Sequence, residues 1–126
     1  MPRTPIIAGN WKLYKGGAAG VVLAREVVRA CGDLAGVTIV LAPPFTVVAS
    51  VVDAVRGSRV EVGGQNLYPK AEGAFTGEVS APMLLDAGCK WVIVGHSERR
   101  QFFADTDDLV REKTAAAIAA GLRPIV

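Results

Sequence analysis

The sequence predicts an α/β protein built on a parallel sheet, and three observations lead there. Short apolar runs recur along the chain, at Pro5–Asn10, Val37–Ala42, Val60–Gln65, Lys90–Val94 and Leu122–Val126. The first two are apolar on both faces rather than alternating, as strands of a parallel sheet covered on both faces are. Between the runs lie stretches with helical periodicity and capping residues, so strand and helix alternate four times before a fifth strand. That alternation implies right-handed crossovers. Two closures fit it, an open doubly wound sheet and part of a barrel, and periodicity does not choose between them.

The elements follow in order. After Gly16-Gly17, Val21, Ala24, Val28 and Cys31 form one helical stripe, with Arg25, Glu26 and Arg29 on the other faces. Gly32 stands where that helix would end. Pro43-Pro44 closes the second strand, since proline cannot continue a ladder. Thr46–Val55 lies between two strands and reads as a short helix, although its valines favour a strand. Asn66–Val79 is polar and glycine-bearing, too long for a tight turn and too weakly periodic for a helix; such loops are usually functional or engaged in contacts. Ser80 is placed to cap a brief helix through Ala87, with Pro82 early and Gly88 after it. Thr106 caps a further helix whose first turn carries Asp107 and Asp108, complementing its dipole, and Gly121 ends it.

Composition narrows the function classes. A chain of 126 residues is one domain's worth, and 51% hydrophobic with 21% charged residues describes an ordinary globular protein. A net charge of +2, with Arg99-Arg100 as its nearest approach to a basic run, gives no nucleic-acid surface. No apolar run approaches a membrane span. Cys31 and Cys89 are far apart without metal-like spacing, and no signal peptide opens the chain, so two reduced cysteines in the cytoplasm are expected. No Walker loop and no G-x-G-x-x-G follows a strand, and metal-ligand spacing is absent; the expected chemistry needs no cofactor and no metal.

The chemistry-bearing residues fall where strands end, the ligand-binding end in α/β architectures. Val92-Ile93-Val94-Gly95 brings the chain to His96, its only histidine, followed by Ser97, Glu98, Arg99 and Arg100. A short helix starting near Ser97 would aim its N-terminus at the imidazole and favour the neutral ring, which can donate a hydrogen bond to a carbonyl oxygen. Lys12 follows the first strand beside Asn10 and Trp11, where a cation suits an anionic substrate or a developing oxyanion. Asn10 can cap a turn or donate into the same site. Glu98 reads either as a surface carboxylate in a first helical turn or as the partner that holds Lys12 in place in a buried or half-buried ion pair.

Gly9-Asn10-Trp11-Lys12, Gly73-Ala74-Phe75-Thr76-Gly77-Glu78 and Val94-Gly95-His96-Ser97-Glu98-Arg99-Arg100, in that order and spacing, resemble the triosephosphate isomerase family. The resemblance runs from about Pro5 to the last residue. It implies a parallel (β/α)8 TIM barrel of about 250 residues, of which residues 1–126 would be the N-terminal half of a single domain, about four βα units plus the fifth strand. It implies interconversion of dihydroxyacetone phosphate and D-glyceraldehyde 3-phosphate through an enediolate, in a cytoplasmic homodimer without cofactor. Asn10 and Lys12 would bind substrate, His96 would be the electrophile that moves protons between the substrate oxygens, and Ser97 and Glu98 would support the site. The neutral histidine electrophile is this family's own established case, carried over with the resemblance. Thr76 would reach the partner subunit's active site. Leu13-Tyr14 departs from the methionine-asparagine more usual after the lysine, which bears on interface packing. The family's catalytic glutamate, on its sixth strand, would lie beyond Val126, so the chain alone is expected to be inactive. The alternative is a non-catalytic half-barrel that self-associates or assembles with a second half, through inward or edge residues such as Ile7, Ile39, Leu41, Val62, Ile93, Ile125 and Val126.

Overall fold

In the computed structural model, which describes residues 2–126, β1 (Ile6–Asn10) pairs in parallel with β2 (Thr38–Ala42), from Ile6 against Thr38 to Asn10 against Ala42. Then β3 (Glu61–Gly64), β4 (Trp91–Ile93) and β5 (Arg123–Ile125) add one by one, all parallel, in the order β1-β2-β3-β4-β5. A doubly wound sheet reverses its order at a switch point; this one never does. Right-handed crossovers in a constant direction place every helix on one face, the arrangement of half a (β/α)8 barrel.

The helices are α1 (Gly17–Cys31), α2 (Val48–Val55, entered through a 3₁₀ turn at Phe45–Val47), α3 (Ala81–Ala87), α4 (Ser97–Phe102) and α5 (Asp107–Ala120). Their punctuation is chemical. Ser80 Oγ accepts from the Met83 N–H at 3.3 Å and Thr106 Oγ1 from the Leu109 N–H at 3.2 Å, each satisfying one orphan donor of a helix start. Gly88 and Gly121 end α3 and α5 in left-handed conformation. Gly32 ends α1 differently: it stays right-handed, and a Cβ there would lie 2.5 Å from the Val28 carbonyl oxygen.

Residues paired across neighbouring strands share a face. The row Leu41–Val62 and the row Gly64–Val92 face the helices and join Ala24 of α1, Val51 of α2, Leu84 of α3 and Val110 and Ala117 of α5 in one core. A Cβ on Gly64 would lie 2.8 Å from Leu84, so α3 packs directly on that backbone. Ile39, Leu41 and Val62 are therefore not inward or edge residues of the half-barrel. Leu41 and Val62 lie in the helix-side core and Ile39 packs against it. Strands apolar on both faces offer no alternation from which to set the register.

The concave face carries Ala8, Val40 and Glu61 in one row and Gly63, Trp91 and Arg123 in the next. There the Trp91 indole N–H donates to Glu61 at 3.3 Å, Lys90 pairs with Glu61 at 3.6 Å, and the Arg123 guanidinium lies 5.3 Å from the Trp91 ring centre. The outer strands are not covered on both faces: Ile6 and Ile7 of β1 are 49% and 65% exposed, and Val126 is exposed beside β5. No helix among the described residues is long and apolar enough to cross a membrane.

Candidate functional site

At the C-terminal end of the strands the loops enclose an open cavity of about 520 Å³, lined by Asn10, Lys12, Leu13, Tyr14, Phe45, Gln65, Asn66, His96, Glu98, Arg99 and Phe103. Asn10 ends β1, and its side-chain oxygen accepts the Lys12 N–H at 2.9 Å. That bond closes the turn in which Lys12 takes a left-handed φ of 52°, a conformation non-glycine residues adopt only when their surroundings impose it. Gln65, just past β3, braces the turn from the other side by donating to the Lys12 carbonyl at 2.8 Å and the Ala42 carbonyl at 2.9 Å.

After β4, Gly95 turns the chain at φ 68°, where a Cβ would meet Val110 at 2.7 Å. His96 then becomes the N-cap of α4, its Nδ1 accepting the Glu98 N–H at 3.1 Å. A ring accepting at Nδ1 carries its hydrogen, when neutral, on Nε2. The Glu98 carboxylate reaches across the cavity to Lys12, Oε1 to Nζ 2.8 Å. The hydrogen bond from Lys12, more than its charge, holds the Glu98 carboxyl below the usual range, and the same bond and charge raise Lys12 above its own. Each shift favours the charged form. The ion pair read for Glu98 is formed, half-buried, by a carboxylate that stands in the first turn of α4.

The structure thus brings Asn10, Lys12, His96 and Glu98 to one cavity. Ser97 is exposed in the first turn of α4 and does not line it. Thr76 stands apart, exposed in the loop 66–79, which folds on itself through the Tyr68 N–H to the Val79 carbonyl at 2.8 Å and stacking of the Tyr68 and Phe75 rings, centres 4.4 Å apart.

The sequence reading missed Gln65, Asn66 and a buried charged cluster behind the cavity. Lys113 of α5 donates to Asn66 Oδ1 at 2.9 Å and to Asp105 at 3.0 and 3.1 Å, and Arg99 Nε reaches the same Asp105 carboxylate at 3.2 Å. Asn66, Asp105 and Lys113 are all buried. The one available signal was that polar residues directly after β3 sit at the ligand end. Among the described residues no group of His, Cys, Asp and Glu could hold a metal ion.

Comparison with known proteins agrees with this geometry. The sequence profile of the triosephosphate isomerase family matches residues 5–126. The chain is 52% identical over 124 residues to the triosephosphate isomerase of Chloroflexus aurantiacus, covering 98% of this chain and 50% of that protein. It is 53% identical over 120 residues to that of Trichlorobacter lovleyi, covering 95% and 48%. The crystal structure of the Bartonella henselae triosephosphate isomerase superposes with a TM-score of 0.89 at 36% identity, over 97% of this chain and 50% of that one. The chain spans about half the length of these relatives, and its five parallel strands are half of a TIM barrel. On the profile match and the identity to these relatives together, the chain belongs to the triosephosphate isomerase family.

Proposed function

We propose that the chain supplies the substrate-binding and electrophilic half of a triosephosphate isomerase site, interconverting dihydroxyacetone phosphate and D-glyceraldehyde 3-phosphate. The observation that carries this reading is the convergence of a cationic Lys12 and an Nε2–H-bearing His96 on one cavity. Lys12 offsets the charge of the substrate phosphate and of the enediolate oxygen. His96 donates from Nε2 to the carbonyl oxygen as the proton leaves carbon, then returns a proton between the two oxygens. Asn10 holds the Lys12 turn and keeps its amide N–H₂ for substrate, and Ser97 and Glu98 support α4 and the ion pair.

Proton abstraction from carbon needs a base with a free carboxylate, and Glu98, the one carboxylate lining the cavity among the described residues, is committed to Lys12. The base is a glutamate that residues 1–126 do not supply, so the 126-residue chain alone is inactive; general-base catalysis contributes about 10²–10⁴-fold. The whole enzyme works as a cytoplasmic homodimer, with Thr76 entering the partner subunit's site. The test is the coupled assay with glyceraldehyde 3-phosphate on the family-length protein. Lys12→Met is expected to lose nearly all turnover, and the isolated 126-residue chain to show none. Unchanged kinetics in Lys12→Met remove Lys12 from the site.

A second reading has its own support in the exposed Ile6, Ile7 and Val126: the 126-residue chain by itself is a half-barrel that self-associates or takes up a second half.

A further inference from the structure

Lys113 and Asp105 lie outside the cavity, and their contacts to Asn66 and Arg99 tie together segments that form its wall. We propose that Lys113 is a positioning residue of the isomerase site, holding the segment after β3 against α4 so that Lys12 and Glu98 keep their pairing. This rests on the proposed function of the site.

The ammonium group makes three contacts, to Asn66 Oδ1 and to both oxygens of Asp105, matching the three donors it has. Two branches leave it. Through Asp105 it reaches Arg99, which lines the cavity one residue after Glu98. Through Asn66 it reaches Gln65, whose amide grips the Lys12 carbonyl. The branches meet at the Lys12–Glu98 ion pair, 2.8 Å long. Ala104, directly before Asp105, takes a left-handed φ of 59°, a conformation that costs a non-glycine residue free energy.

Stability is a poor reason for such a cluster. A buried ion pair is often matched or bettered by apolar residues of similar volume, and the best-attested use of buried ionic groups is to fix one register among several. Lys113 does not line the cavity, so it touches no substrate and acts only through its neighbours.

The test uses the family-length protein and compares Lys113→Met, the charge-balanced double variant Asp105→Asn/Lys113→Met, and Asn66→Ala, which cuts one branch and leaves the ion pair in place. Melting temperature, kcat and KM, and the NMR titration of the Glu98 carboxyl are read for each. In the double variant, which keeps the net charge and takes the carboxylate only from the part-exposed Arg99, melting is expected to return towards wild type while kcat stays reduced about tenfold or more and the Glu98 titration moves up towards the ordinary carboxylate range. Asn66→Ala removes a residue that itself lines the cavity, so there the Glu98 titration is the deciding readout: it is expected to move up as in the charge variants, and it settles the matter if those do not fold. Recovery of kcat together with melting, or a Glu98 titration unchanged in folded variants, overturns the proposal. A wild-type protein without triose phosphate isomerisation would defeat the proposed function instead, and the Glu98 titration would still decide the positioning role.

Discussion

The Lys12–Glu98 pair sets a pH window of its own. The Glu98 carboxyl is lowered, so its contribution is present above the ordinary carboxylate range and is lost as pH falls through the lowered folded-state value. The Lys12 ammonium is raised, so its contribution is present below the ordinary lysine range and is lost only as pH rises through the raised value. The pair is therefore complete across the whole neutral region. An NMR titration of Glu98 is expected to give a midpoint below the reference value of about 4.3, and Lys12→Met to move it upward. A midpoint at or above the reference would mean the pair is open in solution. The two cysteines differ in a similar residue-scale way. Burial pushes the Cys89 thiol up to about 11, so almost no thiolate forms near neutrality, whereas Cys31 lies partly exposed on α1. In native protein at pH 8, iodoacetamide is expected to spare Cys89 and to modify it only on unfolding, as peptide mass spectrometry would show. Ready labelling of Cys89 in the native state would contradict its burial.

Among the elements, the short ones around the site are the most demanding. Gly95 combines a left-handed φ with Val110 packed on its Cα, so Gly95→Ala incurs both backbone strain and a clash. A loss of about 2 kcal/mol or more is expected, measured by urea unfolding; a loss below about 0.5 kcal/mol would mean the turn re-forms elsewhere. This glycine also explains why the site was partly legible in the sequence. An apolar run ending in glycine and then histidine marks a strand's ligand end, and the same logic found Asn10 and Lys12. The caps Ser80 and Thr106 and the stops Gly88 and Gly121 carry local signals, and the helices they bound lie where those signals put them. Lys113 was illegible for the opposite reason. It sits in a helix with Asp107, Asp108, Arg111 and Glu112, where one more charge reads as a solvated face. Only the fold reveals that this lysine turns inward to Asp105 and Asn66. The facing of Ile39, Leu41 and Val62 was equally hidden, because strands apolar on both sides give no alternation. Gln65 and Asn66 follow a strand, but nothing local separates them from ordinary turn residues.

For the whole molecule, the open sides decide behaviour in solution. Exposed strand edges beside apolar side chains are templates for pairing with other chains, and β1 presents Ile6 and Ile7 while β5 presents Val126. The purified 126-residue chain is expected to sediment as dimers or larger species at micromolar concentration. A monodisperse monomer with a sharp cooperative melt would mean the sheet closes some other way. The two faces of the sheet are unequal, however. The aliphatic core between sheet and helices is made wholly from residues of this chain, with Leu41, Val62 and Val92 against Val51, Leu84, Val110 and Ala117. The concave face carries Ala8, Val40 and Gly63 beside Glu61, Trp91 and Arg123, the last three in polar contact among themselves. The consequence belongs to synthesis. A ribosome that has released these residues has released both the strands and the helices of the oily layer, while the opposite side of the sheet is partly wetted by charge and indole. The helices of residues 1–126 can therefore settle onto their strands through contacts that these residues alone carry. What these residues leave open is the strand margins at Ile6, Ile7 and Val126, and the concave face between them.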